Sequence, residues 1–284
     1  MDPTQMSRAV RMLRAWRVVW PPALVVLALM ITALPATGPW ALAGAMAALL
    51  VWRREGIHQA LMARYLAGFL AFVAVRALAD DVGMPLRLDY PILLDQALFG
   101  TVPTVAWQAH RTFAKDVLAT ALYLSYFLLP PTALVLCWRR WPDRLPRYVS
   151  ATLLLFAVAA VSHILLPTAP PWVAAAEGRL PPVTQIAFSV FGERNEVYAM
   201  GQGMSGNLVA AMPSVHLGIA TLVMLALWGT PLRWLGRLYV PAMLWAVVYG
   251  GEHYACDGLA GIALGALCWR TAHYLEPAVG RGNS

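Results

Sequence analysis

The sequence predicts an all-α integral membrane protein, a polytopic helical bundle, and three observations carry that prediction. Of its 284 residues 60% are hydrophobic and 12% charged, against about 25% charged in a soluble domain. Mean hydropathy is +0.61, and the apolar residues gather into runs of the roughly 20 residues that a helix needs to cross a bilayer. The 12 Trp and 10 Tyr suit the interfacial belts of such a protein.

Taken in order, the candidate spans are Val18–Leu34, Trp40–Trp52, Ala60–Ala79, Asp116–Trp138, Tyr148–Leu166, Asn207–Trp228, Leu235–Gly250 and Tyr254–Tyr274. Arg8, Arg11, Arg14 and Arg17 precede the first in the layout of a signal peptide. No clean small-residue cleavage site follows, Ala33-Leu34-Pro35-Ala36 coming nearest, so the run reads as a retained span. The second run is short, and the first two read either as two helices or as one re-entrant hairpin. Pro21-Pro22 and Pro130-Pro131 should kink or bound their helices. Leu88–His110 mixes Leu, Phe and Trp with Asp89 and Asp95, the pattern of an amphipathic helix lying on the membrane surface. Residues 167–206 form the longest polar connection, and loops of that length in a compact fold usually carry function.

With the N-terminus in the cytoplasm, alternating spans place fourteen of the 21 Lys and Arg on the cytoplasmic side and six on the other, Arg64 falling within a span. Positive charge inside fixes orientation. Both termini are then cytoplasmic, and three polar clusters share the opposite face: Pro167-Thr168-Ala169-Pro170-Pro171-Trp172, Asn207 to His216, and Gly251 to Asp257. The net charge of +7 reports this loop bias. No Lys/Arg run interleaved with aromatics occurs, so no nucleic-acid partner is expected. Cys137, Cys256 and Cys268 show no paired spacing and no HExxH or CxxC pattern occurs, so neither a disulfide nor a metal site is expected.

Ionisable groups at membrane depth are costly and read as functional. His253 and Asp257 are four residues apart, so on a helix they would share a face and could hydrogen-bond. Pro213-Ser214 reads as the opening of a helix, where free backbone N–H groups, the helix dipole and a hydroxyl together suit a phosphate. Pro213, with no N–H to waste, fits a first-turn position. His216 could protonate a leaving oxygen, and His253, oriented by Asp257, could attack phosphorus and form a phosphohistidine. Phosphate-ester hydrolysis needs on the order of 20 kcal/mol of stabilisation, from positioning and charge. Each residue also has a plainer reading: Ser214 as a helix cap, His216 as a core histidine, His163 as a packing or hydrogen-bonding residue, and Tyr123 and Tyr126 as cavity lining or interfacial anchors.

Pro213-Ser214-Val215-His216 together with His253-Tyr254-Ala255-Cys256-Asp257 resembles the second and third signature motifs of the type 2 phosphatidic acid phosphatase superfamily. The flanking Ala210-Ala211-Met212, Gly251-Glu252 and Pro167–Trp172 look more like its inositolphosphotransferase branch, which includes fungal inositol phosphorylceramide synthase and many bacterial relatives. The resemblance covers about residues 90–270. It implies a six-helix core, here preceded by two extra spans, in a cell membrane. It further implies His253 as nucleophile, Asp257 as its partner, His216 as acid/base and Ser214 as phosphate ligand, with no cofactor. The expected donor is a lipid phosphate or phospholipid and the acceptor is water or an alcohol. Pro213, Asn207, Arg194, Trp172 and Tyr254 complete the expected substrate-binding set. The superfamily's first motif, a lysine followed after six residues by Arg-Pro, is not found. Lys115 is the only lysine, no Arg-Pro follows it, and Val247 stands where the third motif carries an arginine. Arg194, Arg179 and Arg111 are the candidates to supply the missing cation.

The expected organisation is a basic segment 1–17, two spans within 18–58, a catalytic membrane domain 59–274 with its surface helix at 88–110 and outer loop at 167–206, and a tail 275–284. Two other readings stand beside this one. Gly203-Met204-Ser205-Gly206 matches the Gly-x-Ser-Gly of rhomboid-type intramembrane proteases, with His253 as base, and a transporter is the non-enzymatic alternative.

Overall fold

A computed structural model of the chain describes residues 56–79, 83–187, 189–192 and 210–275. The basic N-terminal segment, the first two expected spans up to residue 55, and Arg194, Ser205 and Asn207 lie outside the described residues. Two compact units are present, residues 1–66 and 67–284. Of the first, only the opening part of helix α1 (Gly56–Ala79) is described.

The described part of the second unit is all helical, its only strand-like pairing being two isolated bridges. After the rest of α1 come α2 (Asp89–Phe99), α3 (Pro103–Gln108), α4 (Phe113–Ser125), α5 (Leu129–Arg140), α6 (Leu145–Leu165), α7 (Pro171–Ala176), α8 (Val215–Leu227), α9 (Arg233–Tyr249) and α10 (Ala255–Leu275). The stretch 88–110 thus carries two helices. Gly100, in the left-handed region at φ 72°, closes α2 and returns its N–H to the Gln96 carbonyl.

The apolar run 116–138 is also two helices, α4 and α5, bent by 43°. Pro130 and Pro131 supply no amide donors, so a continuous ladder cannot pass through them. Among the described residues one helix is long and apolar enough to cross a membrane, Pro142–Leu165, and the bent pair makes a second if it counts as one span. α6 stops at Leu165 because Pro167 disfavours helical backbone just before it. Two of its hydroxyls bond back within the helix: Thr152 Oγ1 donates to the Tyr148 carbonyl and Ser162 Oγ to that of Val158, both at 2.8 Å.

Among the described residues, large apolar side chains face outward on several helices. α2 buries Pro91, Ile92 and Asp95 and turns Leu93, Leu94, Leu98 and Phe99 outward. α9 and α10 likewise expose Trp234, Leu238, Leu259 and Leu267.

α8 lies at the centre, packed against α6, α9 and α10. Its contact with α10 is nearly backbone to backbone, because α10 presents Gly261 and Gly265. A Cβ at position 265 would stand 2.6 Å from the Gly218 carbonyl oxygen, and one at 261 would run into the carbonyl of Ser214. Gly261→Ala is therefore expected to push α8 from α10 and to cost about 1–3 kcal/mol. Thermal unfolding in detergent checks this; an unchanged midpoint would show that the helices can separate freely.

At one end of the bundle three connections lie side by side. Arg87 bridges to Thr168 and Thr168 to Ala210, through Arg87 N–H to the Pro167 carbonyl (2.8 Å), Ala169 N–H to that of Arg87 (3.1 Å) and Ala211 N–H to that of Thr168 (3.0 Å). The N-termini of α8 and α10 follow directly from this end.

Candidate active site

The structure brings His216, His253 and Asp257 together. His216 Nδ1 and His253 Nε2 are 3.1 Å apart, within hydrogen-bond reach. On the far side of the same ring, His253 Nδ1 lies 3.6 Å from Asp257 Oδ2. That is an ion-pair separation, longer than a well-formed hydrogen bond, and Nδ1 has no closer partner among the described residues. Asp257 is fully buried and His253 nearly so, while His216 is half-buried.

The expectation that His253 and Asp257 share a helical face is corrected by the local backbone. His253 precedes α10 by two residues; only Asp257 is in the helix. What places His253 is the end of α9. Glu252 N–H bonds the Val247 carbonyl (3.0 Å) and Gly251 N–H that of Val248 (3.2 Å), the paired bonds of a Schellman cap. Gly251 takes the left-handed conformation this cap requires, φ 78°, and a Cβ there would also stand 2.9 Å from the Thr184 carbonyl. The His253 N–H then shares the Val247 carbonyl at 3.1 Å. Asp257 reaches back from the third position of α10 to accept the Tyr254 N–H at 2.9 Å, one half of a capping box.

Ser214 takes the N-cap of α8, its Oγ facing the Leu217 N–H at 3.5 Å. Pro213 consequently stands just before the cap, outside the first turn where the sequence suggested it. Its carbonyl instead faces His163 Nε2 at 3.2 Å, so His163 is a hydrogen-bonding residue that holds the turn before α8. Ser214 N–H bonds the Asp257 carbonyl at 3.0 Å, tying the two histidine-bearing turns directly together. Tyr123 and Tyr126, from the end of α4, lay their rings against His216 with centroids 5.0 and 4.4 Å away.

Trp172, at the start of α7, donates its backbone N–H to the Gly251 carbonyl (3.3 Å) beside His253. Its indole Nε1 and the Tyr254 hydroxyl are buried donors with no hydrogen-bond partner among the described residues. Of the three arginines considered for the missing cation, Arg111 is engaged elsewhere. Its Nε donates to Asp116 Oδ2 at 2.7 Å and its Nη1 to Thr184 Oγ1 at 2.9 Å, while the Tyr249 hydroxyl donates to the other Asp116 oxygen. Arg179 makes only a loose, exposed pair with Asp89 at 3.7 Å. Arg194 and Asn207 lie outside the described residues.

Sequence reading missed three contacts around this centre. Asp95, taken with Asp89 as the polar face of a surface helix, is fully buried and accepts the N–H groups of Ala255 (3.1 Å) and Cys256 (2.8 Å) at the start of α10. Burial pushes its carboxyl above the usual carboxylate range, although those two N–H bonds pull the other way. Six residues on a helix turn Asp89 and Asp95 to different faces, and that spacing was the available signal. Glu252, next to His253, is buried and accepts from Gln185 Nε2 at 3.0 Å. Tyr90 hydrogen-bonds Thr168 Oγ1 and points to Met212 Sδ at 3.5 Å.

A cavity of about 500 Å³ lies at the other end of α8 and α10, among Arg144, Arg147, Trp228 and Trp269. Arg144 there caps α8 through the Ala226 and Trp228 carbonyls, and Arg147 donates to the Trp269 carbonyl within α10. The clustered histidines and carboxylate are at the opposite end.

Comparison with curated proteins and with solved structures finds no match. A family model, that of the PAP2 superfamily, matches residues 92–271, more than half of the chain and the whole stretch from α2 through the His253–Asp257 turn to α10. The chain belongs to the PAP2 superfamily.

Proposed function

We propose that the protein is a membrane lipid phosphotransferase or phosphohydrolase working through a phosphohistidine on His253, at the extracytoplasmic end of its bundle. The observation that carries this reading is the order Asp257, His253, His216, with one carboxylate oxygen 3.6 Å behind the first ring and the second ring 3.1 Å in front of it. Superfamily membership suggests phosphatase or phosphotransferase chemistry. The apolar exterior and the span at Pro142–Leu165 favour a substrate drawn from a bilayer.

In this reading Asp257 holds the His253 proton on Nδ1, leaving the Nε2 lone pair to attack phosphorus. The bond between phosphorus and the leaving oxygen breaks, and protonated His216 delivers its proton to that oxygen. Water or an alcohol then attacks the phosphohistidine and returns a proton to His216, and the phosphorus–nitrogen bond breaks. No metal ion enters the scheme. Attack needs about 3 Å between nitrogen and phosphorus, and proton transfer needs about 3 Å between His216 and the leaving oxygen. The resting 3.1 Å contact occupies that space, so an entering phosphoryl group parts the two rings. Ser214, Trp172 and Tyr254 border the turns concerned. The unsatisfied donors of Trp172 and Tyr254 are of the kind a substrate oxygen would engage. Residue Asn207 and the cation Arg194 belong to the same expected set.

The test uses purified protein with a panel of ³²P-labelled lipid phosphates and phospholipids, with and without inositol, sugar or lipid alcohols. Acid-labile label on the protein, discharged to inorganic phosphate by water or to a new ester by one alcohol, is the expected result and sorts hydrolase from transferase. Turnover of a lipid phosphate with no acid-labile intermediate at any time would discard the phosphohistidine.

A further inference from the structure

The geometry points to Asp95 as a positioning residue for the reaction proposed above, on which this inference rests: from α2 it caps α10 and so leaves the Asp257 carboxylate to His253. An N-cap normally carries Ser, Thr, Asp or Asn, whose side chain satisfies the second or third amide of the helix. α10 begins after Tyr254, which has no such group, in a position where no solvent reaches. Asp95 supplies the missing acceptor from 160 residues away, Oδ1 to Cys256 N–H at 2.8 Å and Oδ2 to Ala255 N–H at 3.1 Å. Asp257 makes the complementary bond to the Tyr254 N–H. The two halves of a capping box are therefore divided between two carboxylates on different helices.

That division matters for His253. Buried amides find acceptors, and without Asp95 the carboxylate that remains in the same turn is Asp257, which already accepts the Tyr254 N–H. An Asp257 turned toward them turns from His253 Nδ1, already 3.6 Å away. The segment around Asp95 holds the rest of the turn as well. Thr104 Oγ1 reaches the His253 carbonyl at 3.5 Å, and Cys256 Sγ reaches that of Pro91 at 3.7 Å. Asp95 itself touches no reacting atom, and its effect passes through Asp257.

Asp95→Asn keeps the shape but offers one acceptor where two amides need partners. Single-turnover labelling with a ³²P-lipid phosphate separates positioning from folding, because amplitude counts competent sites and the rate constant reports their geometry. The expected result is a rate lower by about 10- to 100-fold, with unchanged amplitude and KM within a few-fold of the parent. Amide hydrogen exchange on the unmodified protein should show Ala255 and Cys256 strongly protected, and this holds whether or not any variant folds. A wild-type labelling rate in Asp95→Asn, a loss of amplitude that accounts for the whole defect, or rapid exchange at those two amides would each overturn the inference. Unmodified protein that takes no label overturns the phosphohistidine reading, and with it the catalytic half of this one; protected amides would still leave the cap standing.

Discussion

His253→Ala is expected to abolish the acid-labile phosphoenzyme and to lower kcat by at least about 10⁴-fold, since removing the nucleophile of a covalent mechanism leaves only binding and charge stabilisation. The imidazole lies between the Asp257 carboxylate and the His216 ring. Its Nε2 faces the half-buried His216, while Nδ1 faces the buried carboxylate. Alanine at this buried position also leaves a void beside α10, so lost activity has to be separated from lost fold. His253→Gln serves for that purpose, because the amide fills most of the ring's volume and cannot form a stable phosphoryl intermediate. Both variants should keep a cooperative unfolding transition in detergent and take up no label. Residual turnover within tenfold of the parent in a folded variant would remove His253 from the chemistry. The same outcome would count against the protease reading, which uses His253 as its base and whose serine at 205 lies outside the described residues.

The residues that make this centre were legible because each belongs to a short polar cluster in an apolar chain, where a charged or histidine side chain needs a reason to be present. Their distances were not legible. The sequence spacing of His253 and Asp257 suggested a helical pair, and the two do meet, but through a Schellman cap followed by an N-terminal first turn. That outcome depends on Gly250-Gly251 ending α9, a signal present in the sequence and not weighed. Pro213 falls outside the first turn because Ser214 competes for the cap and has the side chain to win it. The helical class followed from composition, but the break between α4 and α5 and the division of 88–110 at Gly100 are matters of local backbone. Asp95 was hidden for a different reason: its partners are amides of another helix, and an amide leaves no mark in a sequence. Long-range caps of this kind appear only when the two helices are placed together.

His216→Ala should separate the two histidines by leaving group. If His216 donates the proton to the departing oxygen, its loss matters most where that oxygen is basic, as in a lipid alkyl phosphate, and about 10²- to 10⁴-fold in the labelling rate is expected there. An aryl phosphate such as p-nitrophenyl phosphate departs as a stable phenolate and needs little protonation. With it the variant should form the phosphoenzyme within about tenfold of the parent rate. Discharge to water also calls on His216, as base, so label should then accumulate on His253 and become easier to isolate than in the parent protein. The placement of this side chain suits such a part: half-buried, flanked by Tyr123 and Tyr126, and within hydrogen-bond reach of the ring that would carry phosphorus. Opposite behaviour is equally informative. Equal losses on alkyl and aryl esters would show that His216 acts by holding His253 or the phosphoryl oxygens, and proton donation would have to be assigned to another group. Glu252, buried beside His253, is then the first residue to test.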